Sequence, residues 1–168
     1  MNNNSKTFIL IAGVAVLSFV VALGFLYSRT SMSHSRQGDV ALRGAEVMPF
    51  NLDKTKHVFE HLANGGLQTV IARDPSDKEQ IGLIQAHLKD EAEKFSRGDF
   101  SDPARSHGEN MPGLADLKAG AAKIEIRYAA LSNGAQIRYT TSNPELVRAL
   151  HLWFNAQVSD HGKHAVAH

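Results

Sequence analysis

Apolar residues fall into three patterns along this chain of 168 residues. From Phe8 to Tyr27 they run on without a charge, long enough to fill the hydrocarbon core of a bilayer at about 20 residues per span. From Ser28 to Glu46 the chain is polar, rich in serine and arginine, and shows neither helical nor strand period. From Met48 onward short alternating runs and longer helical runs follow one another.

Two stretches of this last region repeat one pattern. An extended run from Thr55 to Leu62 meets Asn64-Gly65-Gly66; Leu67 to Ala72 follows, then Asp74-Pro75 and a helix. Further on, Lys123 to Leu131 meets Asn133-Gly134-Ala135; Gln136 to Thr141 follows, then Asn143-Pro144 and a second helix. Asn-Gly is a strong hairpin signal because both turn residues tolerate positive φ. Asp-Pro and Asn-Pro start helices, the first residue capping and the proline fitting the first turn. Ile124, Ile126 and Tyr128 alternate with Lys123, Glu125 and Arg127, as in an antiparallel sheet with one wet face. Ile81, Ile84, Leu88 and Phe95 recur at helical spacing, with Gly98 as a stop, and Val147, Leu150, Phe154 and Val158 do so in the last helix. A short helix is expected over Leu114–Ala119.

The expected fold is α+β, in the order β-β-α-β-β-α. It is a four-stranded antiparallel sheet with its helices on one face, preceded by one transmembrane helix. The expected bounds are a cytoplasmic start over 1–7, a signal anchor over 8–27, a flexible tether over 28–47, the α+β domain over 48–162 and a disordered tail over 163–168. A short N-terminal tail usually stays in the cytoplasm, which places the domain in the periplasm of a bacterium, on the inner membrane.

Composition then narrows the chemistry. Lys and Arg number 18 against 17 Asp and Glu, so no broad field draws the chain to nucleic acid. With no cysteine there is no disulfide, thiolate site or covalent haem attachment. Glycine-rich phosphate loops, a Gly-x-Ser-x-Gly elbow and a His-Glu-x-x-His helix are all missing from the sequence. The nine histidines are the unusual feature. His87 and His151 occupy similar places in the two helices, each on the side that carries apolar residues. His107 and Met111 lie four apart in the long connection Gly98–Gly113, and imidazole with thioether suits copper. His161 follows the last helix and can fold back toward His151. The candidate metal ligands are therefore His87, His107, Met111, His151 and His161, with His57 and Glu91 as second choices. His34 reads as a solvated tether residue, His61 as exposed near a turn, and His164 and His168 as adventitious metal scavengers.

From Pro49 to Gly162 the chain resembles a family of small bacterial proteins with an anchored or exported domain. The resemblance rests on Phe50-Asn-Leu-Asp-Lys-Thr-Lys-His57, Gly98-Asp-Phe-Ser-Asp-Pro103, His107-Gly with Met111-Pro-Gly113, and Leu150-His151-Leu-Trp-Phe154 with Asp160-His161-Gly162. Such proteins often carry the label aspartate carbamoyltransferase. That enzyme has two α/β domains and a Ser-Thr-Arg-Thr phosphate loop, whereas the nearest string here, Ser28-Arg29-Thr30-Ser31, only flanks the apolar run. The resemblance implies a domain outline and a set of histidine positions. The leading expectation is a membrane-anchored, copper-handling domain, with zinc or non-covalent haem b as alternative cofactors and a metal-transfer partner. The others are a scaffold subunit of a membrane complex with structural histidines, and a metal-assisted enzyme.

Overall fold

The computed structural model describes Met32 and residues 36–167, so the expected anchor over 8–27 lies outside the described residues. No helix among the described residues is long and apolar enough to cross a membrane. The chain divides after Arg36, and the fold belongs to the unit that begins at Gln37.

That unit opens with helix α1 over 37–47, where the sequence reading expects a tether. Its buried positions are Val40, Gly44 and, just past its end, Met48, spaced one turn apart. The stripe is real but narrow, and a glycine at its centre hides it from a hydrophobic count. Gln37 Nε2 donates to the Ser159 carbonyl at 3.0 Å, and Arg43 Nε donates to the Ser106 carbonyl at 2.9 Å.

Strands β1 (Thr55–Leu62) and β2 (Gly65–Ala72) form the first hairpin, and helix α2 (Lys78–Ser96) follows. Helix α3 (Ser101–His107) lies within the long connection, and α4 (Leu114–Gly120) is the short helix expected after it. Strands β3 (Glu125–Leu131) and β4 (Gly134–Thr140) make the second hairpin. Helix α5 (Pro144–His161) leads to a short last strand, β5 (Ala165–Ala167). The sheet order is β3-β4-β2-β1-β5; every neighbouring pair is antiparallel except β1 with β5. The fold is thus α+β with five helices and a mixed five-stranded sheet, not a four-stranded antiparallel one. The extra strand comes from the segment expected to be a disordered tail. Gly162, at φ 53°, ends α5 and turns the chain back, and His57 pairs with Ala165 and Phe59 with Ala167. This covers a sheet edge that would otherwise leave β1 unpaired.

The repeat is real in three dimensions. Ala72 N–H donates to the Asn133 carbonyl at 2.8 Å, and its counterpart Thr141 N–H donates to the Asn64 carbonyl at 2.9 Å. The two hairpins meet through β2 and β4, with Gly65 opposite Thr140 and Gly134 opposite Ile71. A Cβ at Gly65 would strike the Tyr139 carbonyl, and one at Gly134 the Val70 carbonyl. Close backbone approach therefore requires both glycines; only Gly65 also has positive φ. The helix starts differ. Asn143 caps α5 as expected, accepting from Glu145 N at 2.8 Å. For α2 the cap is Asp77, not Asp74, because Asp74 is engaged in a local turn with Ser76.

The inner sheet face carries Phe59, Val70, Ile137 and Tyr139, all fully buried. Tyr139 touches both Phe95 of α2 and Trp153 of α5, so both long helices cover the same face. Phe100 stacks on Phe95 with ring centroids 4.6 Å apart, drawing the start of α3 onto this core.

Candidate functional site

Toward the β5 side the same face turns polar. His57 projects inward from β1, beside Phe59; His107 is the last residue of α3; His161 is the last residue of α5. They are 3%, 5% and 7% exposed. Their rings are in contact: His57 and His161 stack with centroids 4.7 Å apart, and His107 meets His161 edge-on at 4.9 Å. Together with half-buried His87, Met48, Glu91 and Asp102 they line a cavity of about 40 Å³. That is room for an ion or a few waters, since one water needs about 10–15 Å³ by the same measure.

Three features define its electrostatics. First, Asp160, itself buried, lies 3.0 Å from His107 Nδ1. A carboxylate beside one ring nitrogen of a histidine is the usual way a metal-binding imidazole is oriented. Second, His57 Nδ1 is buried with no hydrogen-bond partner, a cost of about 1–3 kcal/mol. Burial, with neighbouring His87 and His107, pushes the His57 pKa down to about 3. Burial also holds His161 well below the ordinary histidine value and lowers His87. Third, burial raises the Glu91 carboxyl well above the ordinary carboxylate range, as does the neighbouring charge of Asp102. Its Oε1 is buried without a partner. Asp102 is held down chiefly by Lys94, which bonds it at 2.7 Å and also pairs with Asp90 at 2.6 Å. Burial thus disfavours charge on His57, His161, His87 and Glu91 alike.

The sequence-derived candidates separate. His57, His87, His107, His161 and Glu91 reach the cavity. Met111 is buried but does not line it. His151 does not line it either: its Nε2 sits 3.1 Å from the Leu62 carbonyl and 2.9 Å from the Gly65 carbonyl, and its ring stacks on exposed His61 at 4.2 Å. The counterpart of His151 in α2 is not His87 but Gln85, whose Nε2 donates to the Leu131 carbonyl at 2.9 Å. Each helix thus ties down the end of one hairpin from the same distance past its cap. His87 stands two residues further along its helix than that counterpart position. The sequence reading missed Met48, Asp160 and His164. Asp160 could have been found as a carboxylate adjoining a candidate ligand at a helix end. His164 is half-buried, with its Nδ1 lacking a hydrogen bond, and its backbone bonds the His57 ring.

No three His, Asp or Glu side chains among the described residues gather their donor atoms round one ion position. His57 and His161 lie with their rings nearly parallel, and because a metal lies in the plane of an imidazole that binds it, the two do not point at one ion in this arrangement. Haem does not fit a cavity of about 40 Å³, since pockets for ligands of that size run to about 300–1,000 Å³. The chain matches no family model, no curated protein and no solved structure.

Proposed function

We propose that the chain is a metal-binding domain, with copper as its first-choice ion, held on the bacterial inner membrane by residues 8–27 with the domain in the periplasm. The observation that carries the reading is the buried trio His57, His107 and His161, whose rings meet at the wall of a small cavity and one of which, His57, has a buried Nδ1 without a hydrogen-bond partner. A cation there offsets the cost of that nitrogen and needs no thiolate, as suits an oxidising compartment. Imidazole nitrogens in this number favour late transition metals over magnesium or calcium. Binding, buffering or handing on the ion to a partner all follow from one such site.

The test is titration of the detergent-solubilised full chain with copper. The expected result is one tightly bound ion per chain, lost when His57, His107 and His161 are replaced together by Gln and retained when His34 and His168 are replaced. Binding that survives the triple replacement, or that never exceeds it, rejects the site. The second reading, a scaffold subunit with structural histidines, draws on His151, whose ring holds a hairpin end. It gains if the triple variant is unchanged in metal binding but loses a membrane partner.

A further inference from the structure

We infer that Met48 is the thioether ligand of this site and fits it to a soft monovalent ion, Cu(I) or Ag(I), in preference to Zn(II). The inference rests on the metal-binding reading above and names the ion class. Met48 lines the cavity together with His57, His107 and His161. It is 8% exposed and stands directly after α1, so the helix delivers it to the cavity wall. Its backbone N–H closes the last turn on the Gly44 carbonyl at 2.7 Å.

Gly44 is the second observation. Glycine inside a helix is unfavourable by about 1 kcal/mol relative to alanine. Here a Cβ on Gly44 would lie 2.6 Å from the Met48 Cε. The missing side chain makes room for the methyl end of the thioether. A site that needed only apolar filling could use a branched side chain and keep alanine in the helix.

The rest of the cavity points the same way. Of its carboxylates, Asp102 is committed to Lys94 at 2.7 Å. Zinc in protein sites asks for four donors in a tetrahedron. The stacked pair His57 and His161 resists supplying two of them at once. Cu(I) is satisfied by fewer donors and prefers soft sulfur among them.

The experiment uses the full chain in detergent micelles. Cu(I) affinity is read by competition with a chromogenic Cu(I) chelator, Ag(I) by displacement of Cu(I), and Zn(II) in a separate titration. Met48→Leu, close in volume, is expected to lower Cu(I) affinity at least tenfold while changing Zn(II) affinity less than twofold. Gly44→Ala is expected to keep or raise the thermal midpoint, since it improves the helix, and to lower Cu(I) affinity by less than Met48→Leu does, because the thioether end can shift off the new Cβ. Copper X-ray absorption of the wild type is expected to contain a sulfur neighbour that the leucine variant lacks. Unchanged Cu(I) affinity in Met48→Leu, or an equal loss of Cu(I) and Zn(II), overturns the inference and leaves the histidine site standing. If the wild type binds neither ion better than the triple histidine variant, the site itself falls, and the inference with it.

Discussion

Glu91 and the histidines beside it pull stability in opposite directions with pH. Buried His57 stays neutral down to about pH 3, while in the unfolded chain a histidine charges below about 6.5. The unfolded state then binds more protons, so each such histidine costs about 1.4 kcal/mol for every pH unit below about 6.5. His161 acts in the same sense. Glu91, raised by burial, keeps a proton that the unfolded chain releases above about 4.5. Its contribution is therefore present at low pH and is lost as pH rises, opposing the histidines. In the metal-free chain Glu91→Gln keeps a donor toward Asp102 and removes the opposing slope. We expect this variant to be more stable than wild type at pH 7.5, and to lose stability more steeply toward pH 5.5. Urea midpoints at the two pH values decide it; parallel slopes in both proteins would show that Glu91 is ionised in the fold. Asp160→Asn tests the orientation of His107 at the same scale. A lost carboxylate behind a metal-binding imidazole costs about 10–100-fold in affinity, and copper titration at constant pH measures it.

At the scale of elements, His151 shows how a structural histidine is recognised. Its Nε2 accepts no metal-ready geometry; it donates to the carbonyls at the end of the β1–β2 hairpin, and Gln85 does the same for the β3–β4 hairpin. His151→Gln should therefore be tolerated, whereas His151→Leu leaves buried carbonyls unpaired and should cost about 1–3 kcal/mol. Neither should alter copper affinity, and thermal unfolding with copper titration separates the two effects. The hairpins, both long helices and the Leu114 helix were legible in the sequence, because alternation, Asn-Gly turns and apolar spacing are local signals. Asn143 was legible as a cap, while Asp74-Pro75 misled, since Asp77 offers the same side chain three residues later. Helix α1 was not legible: its buried stripe of Val40, Gly44 and Met48 contains one aliphatic residue, and tertiary bonds from Gln37 and Arg43 help to hold it. The site was legible in part. His107 and His161 announced themselves, but which histidines meet depends on β1, the end of α3 and the end of α5 converging across the chain, and no local spacing encodes that.

For the molecule as a whole, the repeat builds the frame and part of the cavity wall, and Met48, Phe50 and the residues of α3 complete that wall. His57, His87 and Glu91 belong to the first half of the repeat, but their counterparts in the second half form no such cluster, because α1, α3 and β5 have no duplicates there. The final strand is the simplest of these additions to remove. Pairing of Ala165–Ala167 with β1 places the chain end beside His57 and contributes the backbone contact to its ring. Ending the chain after Gly162 uncovers the β1 edge, removes a few net hydrogen bonds worth about 1 kcal/mol each, and lets water reach the His57 ring. Such a chain should unfold about 2–3 kcal/mol more easily and bind copper more weakly. Replacing only His164 and His168 by Gln, which keeps the strand, should leave stability within about 0.5 kcal/mol and copper affinity unchanged. If the two variants instead lose copper equally, the tail acts through its imidazoles and not through the strand. The metal site would then extend to His164, whose buried Nδ1 also lacks a hydrogen bond.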